Sequence, residues 1–145
     1  MSNKTKISLT PGLEDYLEAI YMIEQQHNVS RVKDIASRLG VRAASVTGAL
    51  QSLAEKKLIN YTPYEYITLT ESGTFEAKKV VRRHKFLKQF FVEILGIEEA
   101  LADEGACNVE HTIPKPIMER MVDFMDYVEK KGLIEQISEF KNKYN

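Results

Sequence analysis

The stretch Val32-Lys33-Asp34-Ile35-Ala36-Ser37-Arg38-Leu39-Gly40-Val41-Arg42-Ala43-Ala44-Ser45-Val46 decides the fold. Val32, Ile35, Ala36 and Leu39 recur at helical spacing and stop at Gly40. A second stripe follows in Val46, Ala49, Leu50 and Leu53. A helix-turn-helix needs three things: a small residue where its helices cross, a residue tolerating positive φ in the turn, and an apolar residue locking the second helix. Ala36, Gly40 and Val46 supply them at the right intervals. The segment therefore reads as a DNA-binding helix-turn-helix, against the competing reading of a plain helical hairpin.

The outer side of the second helix carries Arg42, Ser45, Thr47, Gly48 and Gln51. Small hydrogen-bonding side chains let a helix approach the major groove closely. Ser45, Thr47 and Gln51 are candidates for base or phosphate contacts, with Arg42 nearer a phosphate.

Upstream, residues 1–9 read as a disordered tail. Thr10 and Pro11 then cap and open a helix that runs to about Gln26 on Leu13, Leu17, Ile20 and Tyr21. Asp15 and Glu18 lie three apart on it, where the helix dipole alone would favour carboxylates. Downstream, Ile59, Tyr61, Tyr64, Tyr66, Ile67 and Leu69 are strand formers around Pro63 and predict a two-stranded wing. Thr70 is expected to cap the next helix. Residues 1–72 are thus a predicted winged helix.

Residues 73–145 predict an all-helical second domain. A long helix from Gly73 to about Leu95 is basic early (Lys78, Lys79, Arg82, Arg83, Lys85) and apolar late (Phe86, Leu87, Phe90, Phe91, Ile94), with His84 between. Gly96 ends it. Glu98 opens another helix expected to reach Ile113, and Pro114 and Pro116 separate it from a Met-rich stripe: Met118, Met121, Phe124, Met125 and Val128. That stripe suits a dimer interface, because so small a domain cannot bury all of it alone. Gly132 precedes a short terminal helix.

Within the second domain, Asp103 to His111 holds the only cysteine and one of the three histidines. At i, i+3 and i+4, Cys107, Glu110 and His111 share a helix face. Thiolate, carboxylate and imidazole form a transition-metal ligand set. The competing reading is a solvated acidic helix with a buried cysteine.

Bulk properties narrow the class. The chain has 145 residues, 43% apolar and 28% charged, ordinary for a globular protein. No apolar run approaches the ~20 residues of a membrane helix, and no secretion signal is read in residues 1–9. One cysteine precludes an intrachain disulfide and fits a reducing cytoplasm. Residues 1–91 carry 14 Lys/Arg against 9 Asp/Glu, whereas residues 92–145 carry 6 against 12. A basic first part suits a polyanion partner and an acidic second part suits cations.

The chain resembles the metal-dependent repressors of the diphtheria toxin repressor family, especially the short manganese transport regulator branch. The resemblance spans nearly the whole chain and rests on Leu13-Glu14-Asp15-Tyr16-Leu17-Glu18-Ala19-Ile20-Tyr21, Asp34-Ile35-Ala36, Ser45-Val46-Thr47, Leu69-Thr70, Arg83-His84 and Val109-Glu110-His111. It implies a metal set of Asp15, Glu18, His84, Cys107, Glu110 and His111. It also implies a homodimer on a palindromic DNA operator, repressing metal-uptake genes. Two departures bear on the metal. Where Cys107 stands the manganese branch has Glu; the iron branch has Cys there but Met at the position of Asp15. A thiolate shifts preference from Mn(II) towards Fe(II), Co(II) or Zn(II). In addition, Lys88 and Asp103 stand where the iron branch's accessory site has an acid and a histidine.

Two rivals remain at this level. One is a dimeric winged-helix regulator that ignores metal. The other is a small metalloenzyme, disfavoured because no Ser/His/Asp arrangement or Gly-rich phosphate loop appears; neither enzymatic activity nor a small-molecule substrate is expected.

Overall fold

The computed structural model describes residues 7–144 and divides into two compact units between Val80 and Val81. Residues 1–6, which hold most of the expected tail, lie outside the described residues.

In the first unit, α1 (Pro11–His27) begins as its sequence dictates. Thr10 Oγ1 accepts a hydrogen bond from the Leu13 amide at 3.2 Å, and Pro11 supplies a preset φ. α2 (Val32–Leu39) stops at Gly40, whose φ of +65° reverses the chain into α3 (Ala43–Glu55). Val46, Leu50 and Leu53 recur at i, i+4 and i+7 on α3 and are fully buried. With Leu17, Ile20 and Ile23 of α1 and Ile35 of α2 they form one continuous core. Ile7 and Leu9 also pack against this core, so the last residues of the expected tail are ordered by burial of their apolar side chains.

The wing is smaller than its run of strand formers predicts. β1 (Ile59–Asn60) and β2 (Thr68–Leu69) pair antiparallel, Ile59 opposite Leu69 and Asn60 opposite Thr68. Tyr61, Tyr64 and Tyr66 belong to the connecting loop, which turns at Tyr64 with φ +68°. A bridge sequence reading did not find joins Ser30 to Ile67, with Ser30 N to Ile67 O at 3.0 Å and Ile67 N to Ser30 O at 2.8 Å. The Glu24 carboxylate of α1 accepts from the Leu69 amide at 2.9 Å, tying that helix to the wing. Thr70 Oγ1 accepts from the Gly73 amide at 3.0 Å and caps α4 (Glu71–Gln89).

The second unit contains the end of α4, then α5 (Glu99–Val109), α6 (Lys115–Lys130) and α7 (Ile134–Tyr144). The long helix does not continue regularly to Leu95; residues Phe90–Ile94 widen into a π turn, and Leu95 N bonds Phe90 O at 3.3 Å. The wider turn sends two adjacent rings to different cores. Phe91 packs with Leu87, Ala106 and Met118, while Phe90 packs with Ile94, Met125 and Val128. Gly96 then leaves the helix at φ +69°. The Glu98 side chain caps α5 by accepting from the Ala100 and Leu101 amides at 3.0 and 3.1 Å. α5 ends at Val109, one turn before the expected Ile113, because Pro114 disfavours helical backbone in the residue preceding it. Among the described residues, no helix is long and apolar enough to cross a membrane.

Candidate metal centre and nucleic-acid surface

His84 is the hub of the second unit. It projects from α4, and α5 brings Asp103 and Cys107, four residues apart and therefore on one face, against it. His84 Nε2 lies 2.8 Å from Asp103 Oδ1. Its Nδ1 lies 2.7 Å from Glu110 Oε2 and 3.6 Å from Cys107 Sγ. Glu110 caps α5 with 1% of its surface exposed, and its second oxygen, Oε1, lies 3.1 Å from His111 Nε2. One buried carboxylate thus joins two imidazoles.

A buried carboxylate is costly unless compensated, and cations gather around this one. Burial holds the Arg83 guanidinium below its ordinary pKa, while the charge of Glu110 works in the opposite direction. Asp103, half exposed, is held below the usual carboxylate range first by its hydrogen bond from His84, with Lys88 adding to the effect. The His84 ring thus faces a carboxylate oxygen on each of its nitrogens.

The donor set fits a divalent transition ion. His84, Asp103 and Cys107 each offer a ligand atom, and these atoms lie within 4.8 Å of one another. Mixed nitrogen, oxygen and sulfur donors suit Fe(II), Co(II) and Zn(II), and the carboxylates suit Mn(II).

The predicted site residues divide between the units. His84, Cys107, Glu110 and His111 come together in the second. Asp15 and Glu18 lie on α1 of the first, Asp15 exposed and Glu18 half-buried. Asp103 opens the stretch that holds Cys107 and His111 and is also a departure from the accessory site, but it is not among the predicted ligands; its position four residues before Cys107 is the available signal. Its neighbour in that reading, Lys88, lies 3.2 Å from Glu99 and 3.6 Å from Asp103. The two departures therefore form an ion pair with each other.

On the first unit, Arg42, Ser45 and Gln51 of the recognition segment are exposed. Thr47 is half-buried and donates its hydroxyl hydrogen to the Ala43 carbonyl at 3.1 Å, leaving its oxygen as an acceptor. The inner side of the same helix is sealed into the core by Val46 and Leu50. Sequence reading passed over Arg31, which sits beside the wing.

A winged helix-turn-helix followed by a helical unit centred on imidazole, carboxylate and thiolate groups defines a metal-responsive transcriptional regulator. Family comparison agrees for each unit: residues 8–67 match the iron dependent repressor N-terminal DNA binding domain, and residues 70–138 match its metal binding and dimerisation domain. An uncharacterized HTH-type transcriptional regulator of Methanocaldococcus jannaschii is 39% identical over 124 residues, 85% of this chain and 99% of that one. The HTH-type transcriptional regulator MntR of Bacillus subtilis is 35% identical over 121 residues, 83% of this chain and 84% of MntR. The chain belongs to the iron-dependent, or diphtheria toxin, repressor family of metal-dependent transcriptional repressors.

Solved structures agree on the fold. T. acidophilum IdeR superposes with a TM-score of 0.70 at 26% identity, over 83% of this chain and 55% of IdeR. A manganese-dependent transcriptional repressor in complex with manganese gives 0.72 at 29% identity, over 79% of this chain and 53% of that one. The chain thus spans about half the length of these solved relatives.

Proposed function

We propose that this protein is a cytoplasmic, homodimeric repressor that binds a palindromic operator when loaded with Mn(II) or Fe(II), with Co(II) or Zn(II) able to substitute in vitro. The observation that carries the reading is the convergence of His84, Cys107, Glu110 and His111 within one small helical unit. Asp15 and Glu18 are the further ligands in this reading, on the helix whose Glu24 also holds the wing strand. Asp103, through its 2.8 Å contact, keeps the His84 ring oriented towards Glu110 and Cys107. When bound, the metal supplies positive charge that favours the DNA-competent arrangement, and DNA must reciprocally tighten its binding.

On the DNA side, Ser45, Thr47 and Gln51 are assigned to the major groove and Arg42 to a phosphate. The exposed apolar residues Ile117, Phe124 and Tyr127 of α6 supply a surface for a second copy, and two recognition helices related by a twofold axis require a palindrome. The regulated genes in this reading encode metal uptake.

His84→Ala and Glu110→Ala should each abolish metal-stimulated operator binding, measured by fluorescence anisotropy, while circular dichroism and sedimentation remain those of the folded dimer. An unchanged metal response would sink the ligand assignment. Activation by each metal in turn, compared with Cys107→Glu, reads out whether the thiolate sets metal preference.

A further inference from the structure

A groove of about 920 Å³ runs beside the recognition helix. Thr47 and Gln51, one turn apart on α3, line it together with Arg31, Lys33, Tyr64 and Tyr66. A helix lying in the major groove is flanked by sugar-phosphate strands, and this groove lies beside α3.

Arg31 is prepared for such a neighbour. The Ser30–Ile67 bridge fixes an antiparallel register, so the residue after Ser30 stands opposite the residue before Ile67. Ser30 is fully buried and its hydroxyl donates to the Ile67 carbonyl at 3.2 Å, which anchors that register in the core. Arg31 is thereby set against Tyr66. Its Nη2 donates to the Tyr66 hydroxyl at 2.6 Å, and its Cζ lies 4.8 Å from the Tyr66 ring centroid.

This brace is neutral. Among the described residues no carboxylate pairs with Arg31, so the guanidinium keeps its full charge while losing much of its side-chain freedom. One of its five donors is spent on Tyr66, and the planar fork remains suited to a phosphate. Lys33 adds a second cation to the lining, and among the described residues Glu65 is the one acid that lines the groove.

We infer that this groove seats one sugar-phosphate strand of the operator, with Arg31 as its phosphate contact and Tyr66 as the residue that positions Arg31. The inference rests on the repressor reading above. It extends the DNA surface from the recognition helix to the wing, through a residue that carries no base information. Arg31 therefore contributes equally to operator and unrelated DNA.

The test uses the whole 145-residue chain loaded with Mn(II) and a duplex it selects from a random-sequence library, with a scrambled duplex as control. Arg31→Ala should weaken both duplexes by a similar factor, roughly tenfold. It should also reduce the slope of log affinity against log salt by about 0.9 per bound protomer. Arg31→Lys should retain most of that slope. Tyr66→Phe should weaken binding by less, and its effect should disappear in the Arg31→Ala background, as expected for groups acting through one contact. An unchanged salt slope in a folded Arg31→Ala protein would overturn the strand assignment, including the case in which only the oligomeric state changes. Equal Tyr66→Phe effects in both backgrounds would overturn the positioning role. Failure of the wild-type protein to enrich any duplex with any of the four metals is a separate result, which overturns the repressor reading and the inference together.

Discussion

The two units solve the problem of burial differently. The first places eleven fully or nearly fully buried apolar residues in one cluster, drawn from four helices and the wing. The second divides its interior into two clusters of three such residues each, and spends its most buried polar position on Glu110. It also leaves Leu101, Ile117, Phe124 and Tyr127 about half exposed. A single dense core fixes the recognition helix in one geometry, as groove insertion requires. A divided core around titratable groups leaves part of the second unit's stability to whatever binds those groups and covers α6. In the proposed function those are the metal and the second copy.

The sharpest way to break this contrast is to overfill the first unit. Gly73 is buried at the start of α4, and a Cβ built there would land on the Leu58 carbonyl oxygen. That oxygen already accepts from the Thr70 amide at 3.0 Å, so α4 cannot retreat without losing the bond. Gly73→Ala should destabilise the protein by about 3 kcal/mol, the upper end of typical overpacking costs, and weaken DNA binding with it. Urea denaturation monitored by tyrosine fluorescence would measure the loss; a change below about 0.5 kcal/mol would show that the dense core has slack after all.

How legible each part was follows the range of the interactions that specify it. The Gly40 turn, the Thr10 cap and the α3 stripe were legible because each is fixed by residues within a few positions of itself. The Ser30–Ile67 bridge was not, since its halves lie 37 positions apart and Ser30, unlike Ile67, belongs to no run of strand formers. The π turn at Phe90 was hidden because apolar spacing does not distinguish a regular turn from a slightly wider one in a run as apolar as Phe86 to Leu95. His84, Glu110 and His111 were readable as chemistry, but only the resemblance joined His84 to the others. Asp103 looked like a lost ligand, and its contact with His84 depends on how two helices pack, which no local pattern encodes.

A smaller effect probes the charged cluster of the second unit in the metal-free protein. The Asp103 carboxyl is held below its ordinary pKa by His84, so its folded value lies under the unfolded one, about 3.9. The stabilisation it provides is therefore present above that unfolded value and is lost as pH falls through the folded value. Asp103→Asn should be less stable than wild type near neutral pH, and the two denaturation midpoints should converge below about pH 4. Asp103 is half exposed, so solvent screens the pair and the gap should be modest. A gap that persists unchanged in strong acid would assign the difference to packing instead of charge.

The smallest expected effect asks whether the second unit has the slack the first lacks. Gly105 lies inside α5, where a glycine costs about 1 kcal/mol relative to alanine through backbone entropy. A Cβ there would meet the Phe91 ring at 3.5 and 3.8 Å, an ordinary van der Waals contact. Nothing must move to admit it, and the added methyl would cover the edge of the aromatic ring that the π turn delivers to the Ala106 cluster. Gly105→Ala should therefore stabilise the metal-free protein, by about 1 kcal/mol at most. Because the change stiffens the helix that carries Asp103 and Cys107 without altering either, metal affinity measured by calorimetry should rise slightly or stay level. Destabilisation by the same substitution would mean that α5 is packed as tightly as α4 at Gly73, and the contrast between a rigid reading unit and a compliant sensing unit would fail at the helix where it matters most.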